Sequence, residues 1–138
     1  NANDSTHCSL LVLWGHAYNF AMGHRPARSN TMDALDFVEI GKALAELQGD
    51  AQVKLKADRP PKLDVIAFDA CDVATAEVAY ELAPFADYLL SSQVGIPLPG
   101  WPYGEVLTRL RVPYGELMSP VELGHWIVAR YCESYVQH

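Results

Sequence analysis

The stretch Leu63-Asp64-Val65-Ile66-Ala67-Phe68-Asp69-Ala70-Cys71 decides how the chain folds. Its apolar core has the length of a strand and lacks the polar alternation of a half-exposed one, which is the pattern of a strand buried on both faces. Arg59-Pro60-Pro61-Lys62 leads into it, and a helix is predicted to follow over Val73 to Leu82, stopping before Pro84. Upstream, Leu10-Leu11-Val12-Leu13-Trp14 is a second run of the same kind, ending at Gly15-His16. Between the two runs Phe37, Ile40, Leu44 and Leu47 recur at helical spacing, with Asn30 or Thr31 as the cap and Gly49 as the stop. Ala86 to Ser92 is a third strand candidate. Strand, helix, strand, helix, strand predicts an α/β fold, a parallel sheet with helices on its faces.

Beyond that core, Ser119-Pro120-Val121-Glu122 combines a capping-box Ser and Glu with Pro at the first helical position, and predicts a helix running to about Tyr135. Residues 92 to 119 read as a long irregular loop carrying Pro97, Pro99, Pro102 and Pro113, with Trp101, Tyr103 and Tyr114 to pack it. Ten Lys plus Arg stand against 17 Asp plus Glu, a net charge of −7 at pH 7. That balance argues against a nucleic-acid partner or an anionic membrane surface, either of which needs clustered positive charge. No apolar run approaches the roughly 18 residues of a membrane span. Half of the chain is hydrophobic, a globular composition, and 138 residues suit one domain or a large piece of one. Cys8, Cys71 and Cys132 are too few and too scattered for a disulfide framework. Their odd number mildly favours a reducing compartment and leaves one disulfide open. The first residues, Asn1-Ala2-Asn3-Asp4, are neither an initiator Met nor a signal peptide, so a trimmed, processed or partial chain is expected and no compartment is assigned.

Ligands of parallel sheets bind beyond the carboxyl ends of the strands. Two strand ends carry chemistry here, at His16 and at Cys71, and the crossover rule makes those strands neighbours. A cysteine peptidase requires a thiolate nucleophile, an imidazole to shuttle its proton and N–H donors for the oxyanion. Cys71 would precede the predicted helix, whose N-terminus favours a thiolate. Each residue also has a plainer reading, as a buried small cysteine and as a histidine satisfying a carbonyl. Together they are more specific than apart. His16 lies 55 residues before Cys71, close to the roughly 50 of caspases.

Leu11-Val12-Leu13-Trp14-Gly15-His16 followed by Phe68-Asp69-Ala70-Cys71 resembles the clostripain family of cysteine peptidases, relatives of caspases, gingipains and legumain. The resemblance continues through Val78-Ala79-Tyr80-Glu81-Leu82, Ala86-Asp87-Tyr88-Leu89 and Ile96-Pro97 to Gly100-Trp101-Pro102-Tyr103, and so covers roughly residues 9 to 107. It implies a caspase-like three-layer αβα catalytic domain with a mostly parallel sheet, here lacking the two leading strands. An upstream segment, a second chain or self-association would then complete the fold. It further implies a polypeptide substrate, Cys71 as nucleophile and His16 as general acid/base, with no cofactor. The oxyanion hole would use the backbone N–H groups of Cys71 and of the residue after the histidine. That residue is Ala17 where the family has Gly, which suits the hole if no positive φ is required.

Asp69, two residues before Cys71, would share its side of the strand if the extended geometry persists. The resemblance places the matching Asp in the pocket for a substrate Arg or Lys, where a carboxylate meets a guanidinium at two points. The alternative is an Asp that orders the turn. The family's additional acidic residue before Gly-Trp is missing from Leu98-Pro99-Gly100-Trp101. Asp72 after the nucleophile departs from the family's apolar residue; its carboxylate opposes thiolate formation, or it caps the following helix. His7-Cys8 are a poor metal pair, His24 with Arg25 and Arg28 reads as a solvated loop, and His125 as structural. Asp33, Asp36 and Glu39 read as helix-face and first-turn charge, not as a calcium site. Some clostripain relatives respond to calcium, but no ligand set is visible in this chain. The leading expectation is a clostripain-type endopeptidase cleaving after Arg or Lys; the alternative is a non-catalytic peptidase-like module or an inactive fragment.

Overall fold

The computed structural model describes residues 8–18, 21–24, 33–111 and 118–136. They form two units, of which Leu10–Ile96 is the larger and holds both sheets. In that unit β1 (Leu10–Trp14), β5 (Leu63–Asp69) and β6 (Ala86–Leu90) make a parallel sheet of order β1-β5-β6. A second, antiparallel sheet is built from β2 (Ala17–Tyr18), β3 (Ala21–His24) and β4 (Asp33–Asp36). The helices of this unit are α1 (Phe37–Leu55) and α2 (Ala76–Leu82). The smaller unit contains α3 (Tyr103–Leu110) and α4 (Pro120–Val136).

The three strands expected from the apolar runs are present and parallel. β5 is central, and its side chains alternate between two buried faces. Ile66, Phe68 and Ala70 enter a core with Phe37, Ile40 and Leu44 of α1 and Val78 and Leu82 of α2. Leu11 and Leu13 of β1 pack against the same core, and Phe37 meets Phe68 edge to face at 5.6 Å between ring centres. Val65, Ala67 and Asp69 occupy the other face and are also buried, which is why the run shows no polar alternation.

The helix ends differ from expectation for identifiable reasons. α1 is capped by Asp36, not by Asn30 or Thr31: the Asp36 side chain accepts from the Glu39 N–H at 2.7 Å, and the Asp36 N–H donates to the Glu39 carboxylate at 3.0 Å. This is a complete capping box. The residues just before it pair as β4 and could not join the helix. Gly49 does not stop α1, which runs on to Leu55 and closes on Lys56 in the left-handed region, φ 51°. α2 starts only at Ala76, because the Thr75 hydroxyl accepts from the Val78 N–H and caps it there. The predicted irregular loop contains α3, which opens directly after Pro102 and buries Val106. α4 has the expected start, with Ser119 and Glu122 bonding each other's backbone N–H groups. The Ser119 N–H and, after it, the Ser119 hydroxyl both donate to the Glu122 carboxylate at 2.8 Å and hold it below its ordinary pKa of 4.5.

Candidate active site

Two parallel strands fix the site. β1 and β5 pair from Leu10↔Val65 to Trp14↔Asp69, and the Gly15 N–H continues the ladder by donating to the Asp69 carbonyl at 3.3 Å. His16 and Cys71 each follow the last pair by two residues, so they stand level in the chain at the same edge of the sheet.

The Cys71 sulfur is half-buried and lies against the chain that leaves β6. It accepts from the Ile96 backbone N–H at 3.1 Å, and the thiol donates to the Ile96 carbonyl at 3.7 Å. The Asp72 N–H donates to the Val94 carbonyl at 3.3 Å and the Ala74 N–H to the Ser92 carbonyl at 2.9 Å. Asp72 itself is exposed and has φ 55°, a left-handed conformation for which Asp is one of the better-suited residues. It does not cap α2; Thr75 does. α2 begins five residues past Cys71 and not directly after it as expected, and the described donor to the sulfur is the Ile96 N–H. No sequence motif announces that contact, since the group concerned is a backbone amide distant in the chain.

His16 is exposed, with its ring centre 6.3 Å from that of Tyr18. Its carbonyl accepts from the Gly23 N–H at 3.0 Å, which makes His16 and Gly23 a hydrogen-bonded pair of the antiparallel ladder. Pairs alternate along such a ladder. The next one, Ala17↔Met22, is therefore not hydrogen-bonded, and the Ala17 N–H points away from β3. Among the described non-glycine residues only Lys56 and Asp72 have positive φ, so the Cβ of Ala17 introduces no backbone strain. Asp69 ends β5 with 2% exposure, on the face opposite the α1 and α2 core.

The other candidates lie elsewhere. His24 ends β3 opposite Asp33 and is not in a loop; Arg25, Arg28 and His7 lie outside the described residues. His125 is exposed on α4, and Cys71 and Cys132 are free thiols. Asp36 and Glu39 are committed to the α1 cap and do not fit a calcium ligand set. Among the described residues no group of three His, Cys, Asp or Glu could hold a metal, and no helix is long and apolar enough to cross a membrane.

Residues 3–138 match the model of the clostripain family, Peptidase C11. A comparison with curated proteins found no match. Among solved structures, the chain is similar to a secreted C11 cysteine protease of Bacteroides thetaiotaomicron bound to an irreversible peptide inhibitor. The identity is 26% and the TM-score 0.64, over 93% of this chain and 32% of that one. A cysteine protease of B. fragilis shares 25% identity with a TM-score of 0.54, over 83% of this chain and 37% of that one. An inactive zymogen C11 protease of Parabacteroides distasonis has the same fold, at 24% identity and a TM-score of 0.51, over 94% and 31%. The chain thus spans about a third of the length of these relatives. The caspase-like reading of the parallel sheet is upheld by these likenesses, and with the match over nearly every residue it follows that the chain belongs to the clostripain family of cysteine peptidases.

Proposed function

We propose that the protein is an endopeptidase in which Cys71 is the nucleophile and His16 the general acid/base. The observation that supports this reading is the β1/β5 register, in which neighbouring parallel strands each end two residues before one of the pair. In this scheme the Cys71 thiol gives its proton to the His16 imidazole, and the thiolate attacks the scissile carbonyl. A sulfur–carbon bond forms as the carbonyl π pair moves onto oxygen. The backbone N–H groups of Ala17 and Cys71 receive that oxyanion, and the outward direction of the Ala17 N–H suits the task. Collapse expels the amine with the proton from His16. Water, deprotonated by His16, then releases the acid from the thioester.

The relative from B. thetaiotaomicron binds an irreversible peptide inhibitor, which supports polypeptides as the substrate class here. Asp69, buried beside the nucleophile in sequence, is assigned to the pocket for a substrate Arg or Lys. One observation favours the alternative of a non-catalytic module: the exposed Asp72 directly follows the thiol, where the family has an apolar residue. A peptide acyloxymethyl ketone ending in Arg separates the two. The intact protein is expected to be labelled at Cys71, Cys71→Ala not at all, and His16→Ala at least about a hundredfold more slowly. No labelling of the wild type would assign the chain to the non-catalytic class.

A further inference from the structure

The segment Ser92–Ile96 runs antiparallel to Cys71–Ala74 and is fastened to it at three levels: Ser92 carbonyl to Ala74 N–H, Val94 carbonyl to Asp72 N–H, and Ile96 N–H to the Cys71 sulfur. Its own turn is held by Ser92, whose hydroxyl donates to the Val94 carbonyl at 2.9 Å and accepts from the Val94 N–H at 3.1 Å. Pro97 follows, which biases Ile96 towards extended backbone. The result is a strap whose last amide rests on the sulfur.

We propose that this strap is a positioning element of the peptidase site, with the Ile96 backbone N–H as a resident donor that holds the Cys71 thiolate ready before substrate arrives. The inference deepens the reading of Cys71 as nucleophile and rests on it. A donor to an ionised acceptor forms a charge-assisted bond, stronger than the same contact to a neutral thiol. The Ile96 carbonyl opposes the thiolate, but from 3.7 Å against 3.1 Å, so the nearer N–H prevails. When sulfur bonds to the substrate carbon, its charge passes to the carbonyl oxygen and it becomes a poor acceptor. The strap therefore stabilises the waiting nucleophile more than the transition state. This role falls to a backbone amide, since the helix expected directly after the thiol begins only at Ala76.

The test is the pH profile of iodoacetamide alkylation at Cys71 in the intact protein, read by mass spectrometry so that Cys8 and Cys132 do not intrude. Ile96→Pro removes the donor. We expect its alkylation to be about tenfold slower than wild type near pH 6 and within about twofold of it near pH 10, a profile displaced to higher pH. Ser92→Ala, which loosens the turn, should displace it in the same direction by less, and Ser92→Thr should restore it. If Ile96→Pro does not fold, the Ser92→Ala and Ser92→Thr pair decides. A profile that coincides with wild type, that moves to lower pH, or that falls by one factor at all pH values would overturn the proposal. Alkylation needs neither His16 nor substrate, so the strap can fail while the peptide ketone still labels Cys71. A protein with a displaced profile and no ketone labelling would instead sink the peptidase reading.

Discussion

Asp69 concentrates the chemistry of the strand end in one side chain: a carboxylate at 2% exposure, directly after the buried apolar run Val65 to Phe68. As a substrate pocket, it predicts that Asp69→Ala lowers kcat/KM for a peptide cleaved after Arg by on the order of a hundredfold, while matched Ala and Asp peptides change far less. As a turn former, its loss would depress all of these peptides together, and the matched series read on both proteins tells the two apart. Glu122 offers a pH-dependent check at the same scale. Its folded pKa lies below the ordinary 4.5, so the capping bonds stabilise the fold fully above that value and are lost as pH falls through the lowered one. The melting temperature of Glu122→Gln should therefore lie below wild type at neutral pH and converge with it as pH falls through the lowered pKa. His16, Cys71, Ala17 and Asp69 could all be picked out from strand-end position and family likeness. The Ile96 amide could not, because a backbone donor leaves no mark in residue type.

Glycine has opposite meanings at two places in α1. At Gly49 an added Cβ would meet nothing within 4 Å, and the helix runs straight through. Gly49→Ala should stabilise the protein by about 0.5–1 kcal/mol, read as a raised denaturant midpoint at unchanged slope. At Gly41 the added Cβ would lie 3.3 Å from the Glu81 carboxylate and 3.4 Å from the Phe85 ring, where the helix passes close to its neighbours. Gly41→Val should destabilise by about 1–3 kcal/mol through overpacking. The Gly49 comparison also shows why helix ends were the least legible part of the sequence. A glycine halts a helix only where a left-handed residue is wanted, and here Lys56 takes that conformation. The central parallel strand was plain because both of its faces are buried and its apolar run is continuous. β2 has two residues and β3 and β4 four each, too short for periodicity to show, and α3 was hidden among prolines that in fact precede its first turn.

At the scale of the whole molecule, β1 is an apolar strand with no partner on its outer edge among the described residues. Such an edge invites pairing. Prepared as these 138 residues alone, the chain is expected to self-associate as concentration rises, despite its net charge of −7. Sedimentation velocity should show the effect, and Val12→Lys should weaken it; a strictly monomeric profile up to about 100 μM would show that the edge is not adhesive. The pairing on the inner side of β1 has a wider consequence. A slip of one residue against β5 would turn Leu11 and Leu13 out of the core and put His16 out of step with Cys71 in the same move. Under the proposed Cys71–His16 pairing, packing and chemistry share one alignment, and reactivity becomes an assay of folding quality. An active-site titrant would count the correctly threaded molecules in a preparation, including against misregistered ones that give an ordinary circular dichroism spectrum.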